Sequence, residues 1–219
     1  MQRVAIMGGT FDPIHYGHLV TAEEAFFRYS LNRVVFVPSG QPPHKLGQRI
    51  SSAADRYMMT VLATMSNPHF EVSSIETDRP GPSYAVDTVR AFRELYPDDT
   101  KLYFITGADA ILEIFGWKDA HTLLQLCDFV AATRPGYTLP VDRVEETFGI
   151  YASRIQFFEV PALAISSTDI RRRVREGRPI RYLLPESVSN YIYKAGLYQD
   201  ERNAGPAHNG HDRAAHYDR

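Results

Sequence analysis

The stretch Val4-Ala5-Ile6-Met7-Gly8-Gly9-Thr10-Phe11-Asp12-Pro13-Ile14-His15-Tyr16-Gly17-His18 decides how this chain is read. Its apolar opening fits a buried strand, and the paired glycines let the chain turn sharply where it leaves that strand. From Gly17 onward, Leu19, Ala22, Ala25, Phe26 and Tyr29 recur at helical spacing. Strand, glycine turn and helix start together make an anion site, because free backbone N–H groups and the helix dipole both favour phosphate. His15 and His18 flank Gly17 at that helix start, close enough to address one phosphate chain. A plain tight turn with two incidental histidines is the bland alternative. It gives no reason for Thr10, Asp12 and both histidines to crowd one helix mouth. The spacing is neither a Walker A loop, which needs Gly-Lys-Ser/Thr, nor a dinucleotide Gly-x-Gly-x-x-Gly. A P-loop kinase and an ordinary dehydrogenase are both disfavoured.

Similar apolar runs recur at 33–37, 70–75, 102–106, 129–133 and 155–160. Helical patterns separate most of them: 17–29, 53–65, 84–95, 110–126 with a break near Gly116-Trp117, and 141–147. Strands alternating with helices predict an α/β fold, a doubly wound and mainly parallel sheet with helices on both faces. Ligands bind such sheets in a crevice at the carboxyl ends of the strands, where the glycine turn lies. Residues 168–176 and 185–194 read as two further helices, with Gly177 and Gly196 past their ends. A single domain over 1–199 is expected, followed by a disordered tail, 200–219, which is polar and aperiodic. Its His208, His211 and His216 have no ordered scaffold to orient them, so no dedicated metal site is predicted.

With 219 residues and 44% hydrophobic content, the chain can bury one sizeable core. A net charge of −2 argues against bulk nucleic-acid binding, which needs a basic face. Its one cysteine, Cys127, sits in an apolar run and reads as a small hydrophobe. No apolar run approaches the ~18 residues of a membrane span. The sequence passes from Met1-Gln2-Arg3 straight into a strand, without a signal peptide, so a cytoplasmic location is expected.

A second constellation lies near the far end: Ile165-Ser166-Ser167-Thr168-Asp169-Ile170-Arg171-Arg172-Arg173. Hydroxyls and Asp169 suit a helix N-cap. Arginine in a first turn opposes the helix dipole, which is reasonable where an anion sits between the two. Arg171 would then clamp phosphate with a bidentate fork that lysine cannot match. A solvated basic face is the plain alternative.

Taken together, the two ends resemble the bacterial nicotinate-nucleotide adenylyltransferase family, within the nucleotidyltransferase superfamily of modified Rossmann folds. The resemblance covers about residues 2 to 198. Besides the two end motifs it rests on Val37-Pro38-Ser39-Gly40-Gln41-Pro42-Pro43-His44-Lys45, Gly81-Pro82-Ser83-Tyr84-Ala85-Val86-Asp87-Thr88, Gly107-Ala108-Asp109, Trp117-Lys118-Asp119 and Thr133-Arg134-Pro135-Gly136. It implies transfer of AMP from ATP to nicotinate mononucleotide, with release of pyrophosphate. ATP would lie across Gly8, Gly9, Thr10 and Phe11, its triphosphate near His15, His18 and Arg171. Gly107 and Asp109 would also line the ATP site, and the adenine would lie near Ile165, Ser166, Ser167 and Thr168. The acceptor pocket would comprise Lys45, Ser83, Tyr84, Ala85, Thr88, Trp117 and Arg134.

On this reading His15, His18 and Arg171 are the catalytic residues, and Mg²⁺ arrives with ATP as the sole cofactor. The acceptor phosphate is itself the nucleophile, so the protein must align it and relieve charge repulsion. Trp117 suits a platform for the cationic pyridinium ring, with a core tryptophan as the alternative. One departure is Ala85, where the family often has threonine, which bears on preference for the acid over the amide. The partners are thus ATP and nicotinate mononucleotide, with neither nucleic acid nor membrane; a homo-oligomer stays open. Other acceptors, such as phosphopantetheine or nicotinamide mononucleotide, and a nucleotide-sensing module also stay open. A class I aminoacyl-tRNA synthetase fragment does not, because the chain lacks a Lys-Met-Ser-Lys-Ser-like loop.

Overall fold

Strand β1 (Arg3–Gly9) contributes Val4, Ala5, Ile6 and Met7, all buried, as expected of a strand covered on both faces. In this computed structural model, which describes residues 1–45, 47, 49–136 and 141–199, β1 pairs on one side with β2 (Arg33–Pro38) and on the other with β4 (Lys101–Gly107). With β3 (Phe70–Val72), β5 (Asp128–Thr133) and β6 (Ile155–Glu159), the sheet runs β3-β2-β1-β4-β5-β6, and every neighbouring pair is parallel. Eight helices accompany the strands among the described residues: α1 (Tyr16–Arg28), α2 (Ala53–Thr64), α3 (Ala85–Leu95), α4 (Ala108–Leu112), α5 (Ala120–Leu126), α6 (Val141–Phe148), α7 (Ser167–Arg175) and α8 (Glu186–Lys194).

The period-2 alternation of strand side chains divides the core into two layers. Ala5, Met7, Val34, Phe36, Tyr103 and Ile105 pack with Ala22 and Ala25 of α1, Met59 and Ala63 of α2, Ile170 of α7 and Val188 of α8. Val4, Ile6, Val35, Val37, Leu102 and Phe104 face the other way, onto Val86, Val89 and Phe92 of α3 and Leu123 and Leu124 of α5. Helices therefore cover both faces. The sheet builds outward from β1 to β3, then restarts on the other side of β1 with β4. That reversal opens a crevice at the carboxyl ends of β1 and β4, beside Gly8-Gly9.

Several expected boundaries shift. The strand expected over 70–75 ends at Val72: the Ser73 N–H still donates to Phe36 O, but Asp78 N–H then closes a turn on Ser74 O. The helix expected over 110–126 starts earlier, at Ala108, and its break is wider. A 3₁₀ turn at Ile114–Gly116 and an extended Trp117 precede Asp119, whose φ of 52° lies in the left-handed region. The tail expected from residue 200, with its three histidines, lies outside the described residues.

Candidate active site

His15 is the N-cap of α1, and its Nδ1 accepts the Gly17 N–H at 3.1 Å. His18 completes a reciprocal bond, its Nδ1 accepting the His15 N–H at 3.2 Å. The two rings stack with centroids 3.8 Å apart. Gly17 is required here, since a Cβ would come within 2.9 Å of the His15 ring. An Nδ1 that accepts carries no proton, so a neutral ring keeps its proton on Nε2. Burial holds His15 down at a pKa of about 4. Burial, and then the neighbouring His15, hold His18 at about 3. At neutral pH both are uncharged donors whose tautomer the helix cap selects.

Arg171 comes from α7, yet its Nη1 donates to Asp12 O at 2.7 Å, on the loop that joins β1 to α1. Ser167 Oγ donates to Pro13 O at 2.8 Å, and Ile165 O lies 3.9 Å from where a Gly17 Cβ would stand. The two end motifs, some 150 residues apart in sequence, are thus sewn to one turn. Ser166 supplies the N-cap of α7, accepting the Asp169 N–H. Asp169 pairs with Arg172 and Arg173, whereas Arg171 reaches Asp12 O. Lys45, half-buried, has its pKa lowered chiefly by burial and next by Arg171, with Asp12 opposing. It belongs to the same cationic cluster.

Around the turn, Gly8 and Thr10 border the crevice, whereas the Phe11 side chain is buried, edge-on to His18, with φ at 49°. At 2% exposed, Phe11 as a whole presents almost no surface to the crevice. Gly107 and Asp109 are exposed at the carboxyl end of β4 and the start of α4.

The acceptor-side residues are less free than their sequence suggested. Ser83 Oγ accepts the N–H groups of Gly40 and Gln41, at 2.9 and 3.2 Å. Thr88 is 1% exposed, and its hydroxyl donates to Glu76 Oε1. Both hydroxyls are thus engaged within the protein. Tyr84 is the N-cap of α3, and the first N–H groups of that helix receive no side-chain cap. Ala85, half-buried, opens that helix.

Trp117 lies half-buried, edge-on to Phe104 at 6.2 Å between centroids. Phe104 in turn reaches to 3.2 Å of a Gly8 Cβ position, at the end of β1. Lys118 caps the Tyr84 ring at 4.2 Å and pairs with Asp87 at 3.1 Å, and Arg90 holds Asp119 at 2.6 Å. Arg134 is exposed just past β5.

Three residues escaped the sequence reading. Arg56 is 1% exposed and donates to the carbonyls of Ser51, Thr10, Ser39 and Gly40, tying together the ends of β1 and β2. A signal existed: Arg56 shares the helical face of Met59, Thr60 and Ala63, an odd place for a charge. Glu76, buried, has its pKa raised by burial against bonds from Thr88 and Ser83. Tyr198 donates to Asp12 Oδ1 at 2.7 Å from the far end of the described chain. Neither carried a local signal.

A family profile described as cytidylyltransferase-like matches residues 6–173. A relative from Moorella thermoacetica, named "Probable nicotinate-nucleotide adenylyltransferase", is 60% identical over 201 residues, covering 90% of this chain and 92% of its own. One of the same name from Thermoanaerobacter sp. is 56% identical over 206 residues, covering 92% and 97%. Among solved structures, the Plasmodium falciparum nicotinic acid mononucleotide adenylyltransferase complexed with NaAD superimposes with a TM-score of 0.72 at 20% identity, over 90% of this chain and 98% of that one. That likeness concerns the fold.

Proposed function

Since the chain belongs to the cytidylyltransferase-like family and, within it, to the nicotinate-nucleotide adenylyltransferases, we propose that it transfers AMP from ATP to nicotinate mononucleotide, forming deamido-NAD and pyrophosphate. The observation that supports this reading is the Arg171–Asp12 bond, which joins the cation of one motif to the glycine turn of the other. ATP would lie on the backbone of Gly8, Gly9, Thr10 and Phe11, between Gly107 and Asp109 on one side and Ile165, Ser166, Ser167 and Thr168 on the other. The His15 and His18 Nε2–H groups and the Arg171 fork face its phosphates.

The reaction needs no protein nucleophile. A phosphate oxygen of the mononucleotide attacks the α-phosphorus, a P–O bond forms, and the α–β bridging bond breaks as its electron pair leaves with pyrophosphate. Charge grows on the bridging and non-bridging oxygens. Neutral imidazole donors and a guanidinium aimed there lower the barrier by preorganisation. Neutral donors suit the task, because they need no proton from solvent at the moment of reaction. Lys45 would steer the mononucleotide phosphate to the same cluster. The α3 N-terminus at Tyr84–Ala85 would take the pyridine carboxylate, with Trp117 and Arg134 at the rim of that pocket.

Mg²⁺ would enter with ATP. Among the described residues no three His, Cys, Asp or Glu side chains gather as a metal site, and Asp12 has its carboxylate engaged by Tyr198 and Ser51. Pyrophosphate release with ATP and nicotinate mononucleotide tests the reading. Turnover at least tenfold better than with nicotinamide mononucleotide, and none with phosphopantetheine, is the expected pattern. Preference for either alternative acceptor would overturn the assignment.

A further inference from the structure

Asp12 is an anion placed inside the cationic cluster that is to receive a triphosphate. It is 2% exposed, its own carbonyl holds Arg171, and its charge bears on Lys45 and Arg56. Unrestrained, such a carboxylate would turn onto the neighbouring guanidinium and compete with substrate phosphate for it. Both carboxylate oxygens are instead engaged by other donors. Tyr198 Oη donates to Oδ1 at 2.7 Å, and the Ser51 N–H donates to Oδ2 at 3.4 Å. Tyr198 reaches there on a backbone of φ 65°, a left-handed conformation that costs a tyrosine free energy. Asp12, Ser51, Arg171 and Tyr198 line one cavity of about 320 Å³. Its far wall is the segment Gly196–Gln199, which follows α8.

The geometry points to Tyr198 as a positioning residue of the transfer site: it holds the Asp12 carboxylate away from Arg171, so that the guanidinium stays available to the ATP phosphates. This rests on the adenylyl-transfer reading above. The role acts through Asp12 and involves no contact with substrate. It makes the last described turn of the chain part of the phosphate site.

The test is steady-state kinetics of Tyr198→Phe, which keeps the ring and removes only the hydroxyl. KM for ATP is expected to rise roughly tenfold, the loss of one hydrogen bond to a charged group, while KM for the mononucleotide stays within about twofold. Asp12→Asn introduced on top of Tyr198→Phe removes the competing charge and should return KM for ATP to near the wild-type value. Tyr191→Phe serves as a control. Its hydroxyl donates at 2.8 Å to Asp55, which lines the same cavity, rather than to Asp12, and it should leave both constants unchanged. Unchanged kinetics in Tyr198→Phe would overturn the proposal. So would a parallel weakening of both substrates that Asp12→Asn fails to rescue, because that is the mark of a merely structural bond. Wild-type pyrophosphate release decides the underlying reaction beforehand, so failure of that reading and failure of this one are told apart.

Discussion

At the proposed phosphate end of the crevice, His15, His18 and Arg171 are fixed to one turn by hydrogen bonds of 2.7–3.2 Å to its backbone. At the proposed acceptor end, Ser83, Thr88, Trp117 and Arg134 arrive from three separate connections, and the two hydroxyls are engaged in bracing the scaffold. The first arrangement presents side-chain donors whose direction is set before substrate arrives. The second presents mainly backbone N–H groups and an aromatic face. Chemistry at the α-phosphorus needs fixed donors, and selection of an acceptor needs a shaped pocket. Substitutions at the two ends should accordingly fail in different kinetic constants.

The largest effect is expected at His18. His18→Ala should lower kcat by ~10²–10³, the scale of one lost transition-state donor, with a much smaller change in either KM. His18→Asn sharpens the point. Its Oδ1 can replace Nδ1 as acceptor for the His15 N–H while the Nε2 donor is gone, so the fold should be retained and kcat still lost. Near-normal kcat in both variants would remove His18 from the chemistry.

Arg171→Lys comes next, with a loss of about 10² in kcat/KM for ATP, because an ammonium cannot hold Asp12 O and phosphate with one planar fork. Arg172→Ala and Arg173→Ala should stay within about threefold, since both side chains are spent on Asp169. Equal losses at all three positions would favour a diffuse basic face over a clamp.

At the other end, Trp117→Ala should raise KM for the mononucleotide about tenfold and leave that for ATP alone, within the range of cation–π stacking. The indole also leans on Phe104, so a fall in Tm without any selective weakening of the acceptor would show that packing is its whole role.

What the sequence disclosed follows the same division. Gly8–His18 and Ile165–Arg171 are each contiguous, and a strand, a turn and a cap are local patterns, so both motifs were legible. The alternation of strands and helices likewise gave away the layered sheet. Nothing local says that Asp12 O is Arg171's partner, or that Arg56 collects three carbonyls from two strand ends, because these are bonds between side chains and distant backbone. The Ser83 and Thr88 hydroxyls were legible as polar groups, yet their direction depends on Gly40 and on buried Glu76. Motif residues thus announce themselves, while the residues that aim them do not.

The smallest effect is on stability, and it separates the cap role of His15 from its proposed catalytic one. Its folded pKa of about 4 lies below the ordinary value of 6.5, so burial favours the neutral ring. Above pH 6.5 both folded and unfolded chains hold it neutral, and stability is unaffected. As pH falls below 6.5 the unfolded chain takes up the proton first, and stability is lost until the folded pKa is reached. Between pH 8 and pH 5.5 this one residue should cost about 1.4 kcal/mol, or roughly 3–5 °C in Tm for a domain of this size. Asparagine is among the best N-cap residues and its Oδ1 can accept the Gly17 N–H. His15→Asn should therefore match the wild type in Tm at pH 8 and exceed it at pH 5.5, since it removes the titration but keeps the cap. Carboxylates titrate in both proteins, so the difference between the two melting curves isolates the histidine. A variant less stable at pH 8 would mean that the imidazole contributes more than its Nδ1 to the helix start. A difference that does not change with pH would mean that His15 is not held neutral by burial.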